Sequence, residues 1–182
     1  MKRMVTAMLL TMAINLGVAA QNAADKHDDM KDCPMHAKHQ AVSGHSHGKQ
    51  ELDKRGDQGM GFSQEKTTHH FLLFKDGGAI QVTANSAEDR DSLEAIRMHL
   101  GHIAQAFQSG DFSIPMFVHD QAPPGVPEMT KLKEHIHYKY ESVENGGRVL
   151  ISSDNPAAIA AVHEFLKFQI TGHQTGDALE AK

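Results

Sequence analysis

Between Gly61 and Asp177 the same order of elements is written twice, and few folds accommodate that. His70 to Phe74 reads as a strand, Lys75-Asp76-Gly77-Gly78 as a turn, Ala79 to Ala84 as the returning strand and Ser86 to Ser109 as a helix. The order then recurs: strand Glu134 to Glu141, turn Glu144-Asn145-Gly146-Gly147, strand Arg148 to Ser152, and helix Pro156 to Thr171, opened by Asp154 and Asn155 with proline in its first turn. Two ββα units of this kind place four antiparallel strands in one sheet with both helices on one face, an α+β two-layer domain. Leu93, Ile96, Leu100, Ile103 and Phe107 form one apolar stripe at helical spacing, and Ile159, Val162, Leu166 and Ile170 form the other, so both helices are expected to lie on the sheet. Between the units runs a proline-rich connection, Gly110 to Met129, long enough to be functional or to cover something.

The rest of the chain has a different character. Lys2 and Arg3, an apolar run from Met4 to Val18, and Val18-Ala19-Ala20 read as a secretory signal cleaved after Ala20, too short to span a bilayer. Residues 21–60 hold almost no large aliphatics and are expected to form a disordered arm. Residues 61–177 suffice for one domain, and 178–182 read as a loose tail. A soluble periplasmic or secreted protein with no membrane span follows. With Lys2 and Arg3 removed, the 18 basic residues fall to 16 against 23 acidic ones, a net charge of about −7 that makes nucleic acid a poor partner.

Fourteen histidines accompany one cysteine. In an oxidising compartment a lone cysteine is metal-bound, paired with another chain or reactive. Cys33 lies in the arm with Met35, His36, His39, His45 and His47, and with His27 and Met30 upstream. Thiolate, thioether and imidazole together favour soft and borderline ions, so copper or zinc is the expected cofactor. Cys33-Pro34-Met35-His36 also resembles the core of heavy-metal-binding segments in bacterial copper and heavy-metal export systems, which implies soft-metal affinity.

Within the domain, His69 and His70 are adjacent on a strand and point to opposite faces, one of them inward. His135 and His137, two apart on a strand, share a face from which two imidazoles can converge on a metal. If Ile136, Tyr138 and Tyr140 face the helices, that face is the outer one. His99 lies beside the apolar stripe of the first helix, and His119-Asp120 precedes the stiff Pro123-Pro124-Gly125-Val126-Pro127 segment. A pocket of His70, His99, His119 and Asp120 under residues 115–127 is the expected ordered site. No Gly-x-Ser-x-Gly, His-Glu-x-x-His, phosphate loop or Cys-x-x-Cys occurs, and His163-Glu164 has Lys167 where a zinc protease helix needs histidine. No catalytic residue is therefore assigned.

The run Gly61-Phe62-Ser63-Gln64-Glu65-Lys66-Thr67-Thr68-His69-His70-Phe71, continued through Ile96-Arg97-Met98-His99-Leu100, Val118-His119-Asp120-Gln121, Pro123 to Pro127 and His163-Glu164-Phe165-Leu166, resembles an uncharacterised family of small exported bacterial proteins. The resemblance implies that the ordered domain is a unit in its own right and the arm a separable addition. The residues point first to metal capture or tolerance, with a metal ion as partner. The alternative is an exported metal-dependent enzyme or small-molecule-binding domain with its site under residues 115–127. A homodimer across the outer sheet face, through Leu72 and Phe74, is a third, structural reading.

Overall fold

The computed structural model describes residues 49–182. Strands β1 (Thr67–Phe74), β2 (Gly77–Ala84), β3 (His137–Val143) and β4 (Gly146–Ser152) form one antiparallel sheet in the order β1-β2-β4-β3. Both hairpins close over two residues, Lys75-Asp76 and Glu144-Asn145, and Asn145 adopts φ +56°, a left-handed conformation that asparagine tolerates. The register pairs Phe71 with Ile80 and Ile80 with Val149, which sets His69, Phe71 and Leu73 on the helix-facing side with Val82, Ile151 and Tyr138. Leu72 and Phe74 lie on the outer face.

Two long helices, α2 (Arg90–Ser109) and α5 (Pro156–His173), cover the inner face. Each packs mainly over the hairpin of the other unit: α2 lies on β3 and β4, and α5 on β1 and β2. The halves are thus interlocked rather than set side by side. Helix α2 starts at Arg90 rather than Ser86, because the Asp89 carboxylate accepts from Ser92 N at 3.1 Å and Ser92 Oγ at 2.9 Å while Ser86 turns to Glu88. Asn155 caps α5 through Ala157 N and Ala158 N. The first expected stripe is buried throughout, whereas in the second Val162, Leu166 and Ile170 are buried but Ile159 is only half-buried and Phe165 joins the core instead. Ile96, Leu100, Phe107, Val162, Phe165 and Leu166 are at most 2% exposed. Burying each such side chain contributes about 1.5–3 kcal/mol.

The paired glycines explain how the layers approach so closely. A Cβ on Gly78 would run into the Leu72 carbonyl oxygen and Leu166 Cδ1, and one on Gly147 would lie 2.8 Å from the Tyr140 ring and 3.1 Å from Leu100 Cδ1. Leu166 of α5 and Leu100 of α2 therefore rest on bare backbone, one in each unit.

Four expectations are corrected. Helix α1 (Lys49–Met60) carries the domain back from Gly61 into the segment assigned to the arm. Met60 and Leu52 tie α1 to the core, Arg55 Nε donates to Val118 O at 2.8 Å and Gln64 N to the Asp57 carboxylate at 2.8 Å. These are tertiary contacts that composition alone does not reveal. The proline-rich connection folds into α3 (Ser113–His119) and α4 (Val126–Lys131), with Pro127 in a first turn where its missing N–H is harmless. His135 belongs to a 3-10 turn, Lys133–His135, and not to β3, which begins at His137. The tail returns to the free edge of β1, where Lys182 N donates to Leu73 O at 3.3 Å, beside the bond that Phe71 N gives to Asp177 Oδ2 at 2.9 Å at the end of the domain. Among the described residues no helix is long and apolar enough to cross a membrane.

Two glycine substitutions separate packing from propensity. Gly78→Ala should destabilise the domain by at least about 2 kcal/mol, because backbone must move. Gly101→Ala, mid-helix with nothing within 4 Å of its new Cβ, should stabilise it by about 0.5–1 kcal/mol. Urea denaturation of both variants checks the opposite signs.

Candidate functional site

A cavity of about 70 Å³ lies between the sheet and the helices. One water needs roughly 10–15 Å³ on the same measure, so several fit. The sheet contributes His69, Phe71, Ile80 and Val82, and α2 adds His99, Leu100 and Ile103. Val118 and His119 come from α3, Gln169 and His173 from α5, and Met60 from the end of α1. Among the described residues no Asp, Glu, Lys or Arg lines it. The polar groups are four imidazoles and one carboxamide in an apolar wall.

The rings are ordered against one another. Phe62 stacks on His69 at 6.0 Å, His69 stacks on His173 at 6.1 Å with 9° between planes, and His173 meets His119 edge-on at 5.1 Å. His99 stands edge-on to Phe62 at 5.6 Å. Gly172 lets the His119 ring lie against α5, since a Cβ there would be 3.0 Å from His119 Cε1. His119 Nε2 donates to Gln169 Oε1 at 2.8 Å, and His173 Nδ1 donates to Gln64 Oε1 at 3.3 Å. With the ring proton on His119 Nε2, the amide oxygen of Gln169 is the end engaged and its NH2 group is the end left over.

Two buried atoms are left open. Gln169 is 3% exposed, its Oε1 is taken by His119, and its Nε2 has no hydrogen-bond partner among the described residues; nor has His69 Nε2. A buried polar group without a partner costs about 1–3 kcal/mol, and folds seldom keep two in one cavity without a use for them.

Burial, reinforced by neighbouring His70 and opposed by Asp53, lowers the pKa of His69 from 6.5 to about 4. Burial also lowers that of His119, against the hydrogen bond to Gln169 and with a small push from Arg55. Both rings are therefore neutral at neutral pH.

The structure brings together two of the four residues expected to form the ordered site. His99 and His119, 4% and 5% exposed, line the cavity. His70 does not. It sits on the outer face, where Nδ1 donates to the Asp177 carboxylate at 2.8 Å. Burial works against that carboxylate's charge, but hydrogen bonds from Thr175, Phe71 N and His70 hold its pKa below the usual range. Asp120 is an exposed left-handed residue closing α3, φ +53°. His135 and His137 are exposed and lie on different elements, so the spacing that would let a regular strand aim both at one ion is lost. His163 Nε2 donates to Phe74 O at 2.8 Å and Gly77 O at 3.0 Å, fastening the first hairpin to α5. Cys33, Met35, His36, His39, His45 and His47 lie outside the described residues, as does the signal segment. Among the described residues no three His, Cys, Asp or Glu side chains are grouped to hold a metal ion.

Sequence reasoning turned one of His69 and His70 inward but put His70 in the pocket, and it passed over Gln169 and His173. For the last two a signal existed: Gln169 and His173 follow Phe165 and Leu166 at helical spacing on the stripe that buries α5. Comparison with family models, curated proteins and solved structures finds no match for this chain.

The neutral ring makes stability pH-dependent with a fixed sign. Between pH 6.5 and about 4 the unfolded chain protonates His69 and the folded one does not, so stability falls as pH drops through that window, by up to about 3 kcal/mol. The Asp177 contribution is lost only at lower pH, below the ordinary carboxylate value. Urea midpoints measured from pH 7.5 to 4 should show the decline, and His69→Phe, which keeps the ring stack, should flatten it.

Proposed function

We propose that the ordered domain is a small-molecule-binding module whose site is the histidine-walled cavity. The observation that carries this reading is the coincidence, in one cavity with room for several waters, of two buried polar atoms that the fold leaves open, Gln169 Nε2 and His69 Nε2. Ligand sites have this composition, mostly apolar walls with a few placed polar groups. Neutral imidazoles at His69 and His119 offer hydrogen bonds without a fixed charge. Part of the wall comes from α3, through Ile114, Pro115, Val118 and His119, which overlaps the 115–127 segment of the alternative reading only at residues 115–119.

Full-length protein titrated with a panel of neutral, anionic and cationic fragments, followed by the ring signals of His69 and His173, tests the reading. Binders should emerge from the panel and disappear in Val118→Phe, which fills the cavity while circular dichroism confirms the fold. Silence across the whole panel would end it.

A second reading is capture of copper or zinc by an exported protein, and what favours it is the density of sulfur and imidazole donors in residues 33–47. It places the ion on the arm and asks nothing of the cavity. Calorimetric titration of the full chain with Cu(I), Cu(II) and Zn(II) should give micromolar or tighter binding, weakened at least tenfold by Cys33→Ser combined with His36→Ala. No heat with any of the three ions would remove it.

A further inference from the structure

We propose that the cavity selects a small uncharged molecule of roughly five or six non-hydrogen atoms, with a branched apolar body and one hydrogen-bond-accepting oxygen, as in a carboxamide, ketone or alcohol, that takes the Gln169 amide hydrogens. The inference rests on the reading of the cavity as a binding site and adds the class of ligand it admits.

Three observations fix the class. Size comes first: about 70 Å³, at roughly 10–15 Å³ for each water-sized group, leaves space for five to seven such groups. Charge comes second. Among the described residues no ionic side chain lines the cavity, so an ionised ligand would give up its hydration with no lining counter-charge to replace it. Polarity comes third. Gln169 is nine-tenths buried and lines the cavity, and its Oε1 accepts from His119 Nε2. With the His119 proton on Nε2, turning the amide over would set its NH2 group against that N–H, so in this tautomer the free end is the donor. Its Nε2 hydrogens meet no acceptor among the described residues, which calls for an acceptor on the guest. The remaining wall, Ile103, Val118 and Phe165 among others, suits an aliphatic body.

Three molecules of one shape separate the terms. Isobutyramide is neutral, isobutyrate is its anionic isostere and isobutyramidinium its cationic one. Each is added up to 50 mM to isotopically labelled full-length protein at pH 7.5, and the side-chain amide signal of Gln169 is followed by NMR. Isobutyramide should shift that signal saturably, with a millimolar or tighter Kd and Overhauser contacts from its methyl groups to Val118 and Phe165. The two ions should bind at least tenfold more weakly, and Gln169→Leu should lose at least tenfold of the amide affinity. Overhauser contacts in the wild-type protein decide the matter even if that variant does not fold. Equal or tighter binding of either ion would overturn the proposed class while leaving the cavity a binding site. An unmoved Gln169 signal with isobutyramide, alongside binders from the wider panel, would also overturn the class; an empty wider panel would overturn the binding site itself.

Discussion

Bare backbone at two points in the sheet sets how near the helices can come, and the remaining packing follows from that distance. Gly78 receives Leu166 and Gly147 receives Leu100, so each unit of the repeat offers a glycine to a leucine of a covering helix. Because α2 covers the second hairpin and α5 the first, each contact joins the two halves and neither half can bury its apolar face alone. Dispersion between close-packed atoms is small per pair and large in sum, and it is forfeited quickly with distance. The aromatic cluster of Phe107, Phe112 and Phe165, with centroids 4.4–6.1 Å apart, fills the interior that results.

The cavity lies in the same interface but is lined differently. Where leucine meets glycine the layers touch, whereas around the cavity imidazoles and an amide project from β1, α2, α3 and α5. These side chains satisfy one another only partly. His119 engages Gln169 and His173 engages Gln64, yet Gln169 Nε2 and His69 Nε2 remain open. A core selected for stability alone would fill such a space with aliphatic carbon, and local departures from good packing collect where a protein does something. Burial has a chemical consequence as well, since the same desolvation that penalises a charge keeps His69 a neutral hydrogen-bonding ring in mild acid.

Much of the fold was legible in the chain. The duplicated order, the Gly-Gly turns and the two stripes specify four antiparallel strands and two helices on one face. The inward position of His99 and the inward set Ile136, Tyr138 and Tyr140 followed from spacing alone. The site was less legible. In His69-His70-Phe71-Leu72-Leu73-Phe74 both alternate sets are apolar after the histidines, so period-2 alternation gives no parity, and His70 was expected in the pocket that His69 occupies. Asp120 was drawn in by adjacency to His119, but a helix that ends between them sends the two side chains apart. Helix α1 was illegible for another reason: Lys49–Met60 is mostly polar and contains two glycines, so its helicity depends on Leu52, Met60 and Arg55 finding partners elsewhere.

By itself, the sequence determined the elements, their order and the layer each side chain would face wherever polar and apolar residues alternate, because those follow from local periodicity and backbone preference. Only the tertiary structure decided that the helices exchange hairpins, that the proline-rich connection folds into two helices, and that histidines 20 to 104 residues apart converge on one cavity. Periodicity acts over a few residues, whereas convergence depends on the relative placement of whole elements, and that is fixed by packing contacts such as Leu166 on Gly78 that carry no mark in the local pattern.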